Sequence, residues 1–372
     1  MKKINNLFLM TIANTSGSGI TAIFWFIIAT LLAPSEYGEI QYFISIAGLG
    51  YVISLIGTQT VITVYTAKKI QLQSTLILLS LVAGTVSGII ILFLFSKLDV
   101  SFLIIAFIIN DISLGYILGK RFFAKYSKYF IAQKSLTFGL GLSFYFVFGA
   151  EGIILGLVLS YIHFVIIIFN ILKYSKINFS LLKTRLGFVG NNYSISISGI
   201  AKNHLDKIIV LPIIGFELLG NYALALQTYV MLMMFSKIVY NYTLPYDSVG
   251  KTTTKVKIIA LISSVIITLF GVTATPFIMP VIFPEYTEAV IAIQIISLAV
   301  IPSTITLILS SKFLGDENSK IVLTGRIASA IVIISLIVIL TPIYGISGTT
   351  GSFVIASIAQ AVILFAYYRL RN

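Results

Sequence analysis

Seven ionisable residues fall inside apolar stretches of this chain: Lys134, Lys202, Lys207, Lys237 and Arg326 against Asp111 and Asp206. A charge at the middle of a membrane helix costs roughly 2.5–3.5 kcal/mol on insertion scales, so a set of this size calls for a shared polar interior. Lys202 and Asp206 stand four residues apart, the spacing that puts two side chains on one helix face and permits an ion pair. Lys207 is the alternative partner for Asp206. The trio reads either as charges neutralised for insertion or as groups lining a lumen. Lys237 has no acidic neighbour at helical spacing, and snorkelling towards an interface satisfies it equally well. Asp111, directly after Asn110, is either a carboxylate for ion coupling, by proton or sodium, or a structural hydrogen-bond acceptor. Asn14-Thr-Ser-Gly-Ser-Gly19 gathers small polar residues and glycine in an otherwise apolar helix. It predicts a bend, with Asn14, Gly17 and Gly19 as gate or hinge, or else a packing groove.

Other chemistries lack their residues. With no cysteine there is no disulfide framework or thiolate metal site, and His163 and His204 lie on different helices without companion ligands. No metal or resident cofactor is expected. Gly115 to Lys120 is one residue short of a phosphate-binding loop. No basic, aromatic nucleic-acid module is present.

The elements that must hold these charges are membrane helices. The chain is 58% hydrophobic and 10% charged, against about a quarter charged for soluble proteins. Apolar runs predict twelve spans, at 7–32, 38–66, 74–96, 101–119, 129–148, 152–172, 188–211, 219–244, 258–283, 288–311, 321–341 and 346–368. If the N-terminus is cytoplasmic, 19 of the 25 basic residues lie in cytoplasmic connections and only Lys97 lies outside. That alternation fixes both termini inside and reads the net charge of +13 as topology first, with attraction to anionic lipid second. Gly84-x-x-x-Gly88, Gly115-x-x-x-Gly119 and Gly152-x-x-x-Gly156 predict close helix approach.

An internal repeat is visible. Lys128 and Lys134 match Lys320 and Arg326 at an offset of 192, Phe148-Gly-Ala-Glu-Gly152 matches Tyr344-Gly-Ile-Ser-Gly348 at 196, and Gly38 matches Gly220 at 182. The pattern implies two pseudo-symmetric six-helix lobes, 1–180 and 181–372, in the same orientation, with a transport path between them. Lys134 and Arg326 lie only about 9 Å along their helices past Lys128 and Lys320, at 1.5 Å per residue. They form either a basic pair at the cytoplasmic mouth or two snorkelling side chains.

Four segments carry a family resemblance: Leu31-Leu-Ala-Pro-Ser-Glu-Tyr-Gly38, Leu205-Asp-Lys-Ile-Ile-Val210, Leu219-Gly-Asn-Tyr-Ala-Leu-Ala225 and Ile343-Tyr-Gly-Ile-Ser-Gly348. In order and spacing the chain resembles the polysaccharide transporters of the MOP superfamily, the Wzx-type flippases. It lacks the proline often found before their seventh helix, and twelve spans set it apart from the related lipid II flippases. The resemblance implies an all-α, MATE-like V of two lobes working by alternating access in the cytoplasmic membrane. It implies a polyprenyl-pyrophosphate-linked oligosaccharide as substrate, membrane lipid around its tail, and polysaccharide assembly proteins as partners. Lys202, Asp206, Lys207, Lys237, Lys134 and Arg326 then become substrate-binding candidates and Asp111 the ion-coupling candidate. The runner-up is a MATE-type drug or cation efflux transporter, which would favour acidic excess. A membrane glycosyltransferase or polymerase needs a larger aqueous loop than the short outer turns provide.

Overall fold

The computed structural model describes residues 2–199, 204–247, 253–316 and 318–371. Every element among them is helical. The contacts divide the chain into two compact units, Met1–Phe24 with Phe43–Ile200, and Trp25–Tyr42 with Ala201–Asn372.

The first unit begins with α1 (Lys2–Leu31), whose end from Trp25 belongs to the second, and continues with α2 (Pro34–Ser54), which enters it at Phe43, and with α3 (Gln59–Ala67), α4 (Gln73–Phe95), α5 (Leu98–Gly119) and α6 (Phe123–Phe148). It closes with α7 (Gly152–Ser160), a 3-10 turn at Ile162–Phe164, α8 (Val165–Tyr174), α9 (Phe179–Lys183) and α10 (Leu186–Ser198). The span expected at 38–66 is broken: α2 and α3 meet at a 41° bend, and residues 55–58 between them include Gly57. The freed amides are satisfied within the fold, as lipid surroundings require. Gly57 N–H donates to Ser80 Oγ at 3.1 Å and Gln59 N–H to Asp111 Oδ2 at 3.1 Å. Two of the three glycine pairs bring backbones together, whereas Gly84 faces the Ile108 and Ile105 side chains. A Cβ on Gly115 would meet the Gln59 carbonyl oxygen at 2.8 Å, one on Gly119 the Thr63 carbonyl at 2.7 Å, and one on Gly156 the Leu140 carbonyl at 2.7 Å.

The second unit holds α11 (Asp206–Leu232), α12 (Met234–Asp247), α13 (Thr254–Ile282), α14 (Ala289–Ser297), α15 (Val300–Gly315) and α16 (Ser319–Arg371). Among the described residues eight helices are long and apolar enough to cross a membrane, or nine when α2 and α3 count as one span. Two of these fold back on themselves. At about 1.5 Å per residue, 27 residues of straight helix cover about 40 Å, yet Ser329 Oγ donates to the Ala356 carbonyl at 2.7 Å. The turn is at Gly345, with φ 56° and ψ −133°. Gly215, with φ 75° and ψ 176°, does the same in α11, where Tyr222 reaches Asp206 sixteen residues earlier. An αL-side φ suits glycine because no Cβ clashes there.

The repeat has a physical counterpart. Gly149, at φ 69°, occupies the position equivalent to Gly345. A Cβ on Gly152 would strike the Phe144 carbonyl oxygen and one on Gly348 the Leu340 carbonyl oxygen, the same offset of 196 again. In the second unit the Gly38 and Gly220 segments touch each other reciprocally. A Cβ on Gly38 would overlap the Phe216 carbonyl oxygen, and one on Gly220 the Pro34 carbonyl oxygen. Both pairs are related by 182, the arrangement of a local two-fold.

Backbone contact of this kind leaves no room for a methyl group. Gly38→Ala and Gly220→Ala are each expected to destabilise by about 1–3 kcal/mol through overpacking. Gly19→Ala, which meets nothing within 4 Å, serves as the neutral control. Melting of the detergent-solubilised protein checks this, and equal stability of all three variants would contradict it.

Candidate functional site

In the first unit the residues singled out on α1 and α6 come together. Tyr126 OH donates to Asn14 Oδ1 at 3.3 Å, the Tyr126 and Phe130 rings stack at 5.8 Å, and Lys134 Nζ lies 5.5 Å from the Phe130 centroid. Gly17 admits this stack: a Cβ there would meet Phe130 at 2.5 Å and Lys134 Cγ at 3.1 Å. α1 stays helical through Asn14–Gly19, so the expected bend is not marked by any break in the helix. The physical reason is that Gly17 serves close approach to α6 while the helical hydrogen bonds are kept. Lys134 is half-buried over an aromatic face, where a cation gains roughly 0.5–2 kcal/mol from the ring quadrupole.

Asp111 sits elsewhere in the same unit. Besides the Gln59 amide, its carboxylate has the Tyr51 hydroxyl within hydrogen-bonding reach. It therefore caps the N-terminus of α3 at the bend, where an anion also suits the helix dipole.

In the second unit Asp206 is fully buried at the start of α11. Tyr222 OH donates to its Oδ2 at 3.1 Å, and Lys207 Nζ lies 3.7 Å from its Oδ1. Lys202, expected opposite Asp206, lies outside the described residues. Lys237 on α12 and Arg326 on α16 are exposed, with Arg326 close enough to Tyr240 to act on it electrostatically.

Two features were missed in the sequence. Tyr222 is one; its signal was its place in Leu219-Gly-Asn-Tyr-Ala223, where Gly220 touches Pro34 and Asn221 Oδ1 accepts the Ala289 amide at 2.8 Å. Asp247 is the other. It binds Lys257 Nζ through both oxygens at 2.8 Å and accepts from Ser311 Oγ at 2.6 Å, joining the ends of α12, α13 and α15. An acid immediately before a lysine-rich connection was the available signal. The second unit also contains an apolar pocket of about 340 Å³, bordered by Phe26, Thr228, Leu232, Phe270, Ile278 and Phe283.

No family model matches the chain, and no curated protein matches it in sequence. Solved structures do. An inward-facing multidrug resistance MATE family transporter of the MOP superfamily aligns with 96% of this chain and 94% of its own at 14% identity, TM-score 0.71. The lipid II flippase MurJ in an inward closed conformation aligns with 97% of this chain and 87% of its own at 14% identity, TM-score 0.80. A MOP superfamily transporter from Pyrococcus furiosus, described by a binding pocket of reverse polarity that suggests a different function, aligns with 98% and 95% at 14% identity, TM-score 0.62. The chain thus shares the all-helical fold of these solved transporters.

Removing one member of a buried ion pair leaves the other charge uncompensated, at about 3–5 kcal/mol. Lys207→Ala is therefore expected to lower both folded yield and melting temperature. Lys207→Ala with Asp206→Asn should recover most of the loss, because the amide oxygen still accepts from Tyr222. Wild-type stability of Lys207→Ala alone would show that Asp206 is held by another cation.

Proposed function

We propose that this protein is a flippase that moves polyprenyl-pyrophosphate-linked oligosaccharide across the cytoplasmic membrane by alternating access. The observation that carries the reading is the balance of charge within the spans, five basic residues against two acidic. Both acids are engaged, Asp206 with Lys207 and Tyr222, Asp111 with the α3 amide. Lys134 in one unit and Lys237 and Arg326 in the other are then free of acidic neutralisation in the contacts described, which suits a dianionic pyrophosphate. Lys202 completes the proposed substrate set, with Asp206 holding its neighbouring cations until the substrate arrives.

The likeness to a lipid II flippase supports a lipid-linked substrate, and the apolar pocket of about 340 Å³ suits part of a prenyl tail. The reverse-polarity neighbour supports the premise that pocket charge, rather than fold, separates functions here. The likeness to a MATE transporter supports drug or cation efflux as a second reading, against which the basic excess weighs. The twelve-span reading is supported by the turns at Gly215 and Gly345 and by the matched hairpins at Gly149 and Gly345; the lobes at 1–180 and 181–372 rest on the sequence repeat. Both termini are then cytoplasmic, as the distribution of basic residues requires. Asp111 is a helix cap in this reading, and a proton or sodium coupling role for it rests on the same carboxylate. Polysaccharide assembly proteins are the proposed partners.

Ligand binding to the purified protein tests the substrate class. A polyprenyl pyrophosphate at a hundredfold excess over its Kd is expected to stabilise the fold by roughly 2–3 kcal/mol, while tetraphenylphosphonium has no effect. Stabilisation by the organic cation alone would move the protein to the efflux reading.

A further inference from the structure

The end of the first unit where α3, α5 and α8 terminate contains a polar pocket of about 290 Å³. Its floor is Gln73, 6% exposed, whose Nε2 donates to Thr66 Oγ1 at 3.1 Å and to the Ile70 carbonyl at 2.9 Å. Tyr116 and Tyr174 form walls, and Lys69 and Lys120 stand at its border. Lys120 Nζ lies 5.4 Å from the Tyr116 ring centroid. None of the residues bordering the pocket is acidic.

The surrounding segments, 66–76, 116–130 and 171–186, carry ten Lys or Arg residues and not one Asp or Glu. The basic connections of the second unit do include acids, Asp247, Asp316 and Glu317. Topology alone does not demand this difference, because acidic residues contribute little to orientation.

The backbone supplies a separate observation. α3 and α5 end in the same motif. Ile70 N–H bonds to the Tyr65 carbonyl at 2.8 Å and Lys69 N–H to the Thr66 carbonyl at 3.1 Å; Phe122 N–H bonds to the Ile117 carbonyl at 3.1 Å and Arg121 N–H to the Leu118 carbonyl at 2.8 Å. In such a helix stop the penultimate residue takes a left-handed conformation and is usually glycine. Here it is Lys69, at φ 55°, and Arg121, at φ 60°. Two cations occupy strained positions that glycine would fill more easily, and strain of this kind concentrates at ligand-binding sites.

We infer that this pocket binds a phosphate oxyanion, and that its natural source is the headgroup of an anionic phospholipid. Basic pockets between helices at a membrane surface have this chemistry. The rim provides for the rest of a lipid: Tyr174 is 73% exposed and Phe122 56%, next to the cations. A soluble phosphate has no use for such a border. The site lies within the first unit, apart from the proposed substrate residues, and its lipid binding is independent of which molecule is transported.

The test uses the full chain in nanodiscs of neutral phosphatidylcholine with and without phosphatidylglycerol. Wild type is expected to melt higher with phosphatidylglycerol. Lys120→Gln should weaken apparent phosphatidylglycerol affinity about fivefold, one cation's share. Lys69→Gly should weaken it similarly while melting no lower than wild type in pure phosphatidylcholine, because glycine relieves the left-handed strain. No difference between the two lipid mixtures for wild type, or an undiminished response in both variants, would overturn the site. A response to inorganic phosphate in pure phosphatidylcholine that matches the lipid effect and disappears in the same variants would overturn the lipid source.

Discussion

Two glycines, Gly38 and Gly220, let the backbones of α2 and α11 touch, and the roles of the neighbouring residues follow from that contact. Once Gly220 lies against Pro34, Asn221 is placed to cap α14 and Tyr222 to meet Asp206. On the other strand of the crossing, Tyr37 packs edge-on against Trp25 and Tyr286, and Tyr286 OH bonds the Leu32 carbonyl at 3.0 Å. Small residues are what allow this in an apolar medium, where helices associate by close packing and hydrogen bonds rather than by the hydrophobic effect.

Lipid also dictates the fate of the polar groups. The break between α2 and α3 would expose amides, and Ser80 and Asp111 accept them. The buried Asp206 carboxylate has a lysine and a tyrosine hydroxyl, and Asp247 has a lysine and a serine. Acids are thus consumed by structure, whereas several cations are left at surfaces and aromatic faces. Such a division leaves cations without acidic partners in the contacts described, the physical basis of the proposed substrate class.

Much of the fold was legible because its signals are local. Apolar runs marked the helices, Gly149 and Gly345 marked matched hairpins, and the paired glycines marked backbone approaches. Two of the four segments that carry the family resemblance meet at the Gly38–Gly220 crossing and a third forms the turn at Gly345, so they report the fold far better than the substrate. The bend at residues 55–58 was missed because Leu55-Ile-Gly-Thr58 is apolar enough to continue a span. Its stabilising partner, Asp111, lies 52 residues from Gln59, a distance over which periodicity says nothing. Lys207 is placed against Asp206, while Lys202 lies outside the described residues. Helical spacing alone left both choices open, and tertiary packing of Tyr222 orients the carboxylate.

The central claim is that this fold, with its excess of basic over acidic residues in the expected spans, moves an anionic lipid-linked glycan. Reconstitution into vesicles tests it most directly, with a fluorescent polyprenyl-pyrophosphate oligosaccharide initially in both leaflets and a glycan-cleaving enzyme added outside. The account predicts that the protected inner-leaflet pool becomes cleavable over time in protein-containing vesicles and stays protected in empty ones, with no accompanying movement of ethidium. Ethidium transport without any loss of glycan protection would contradict it.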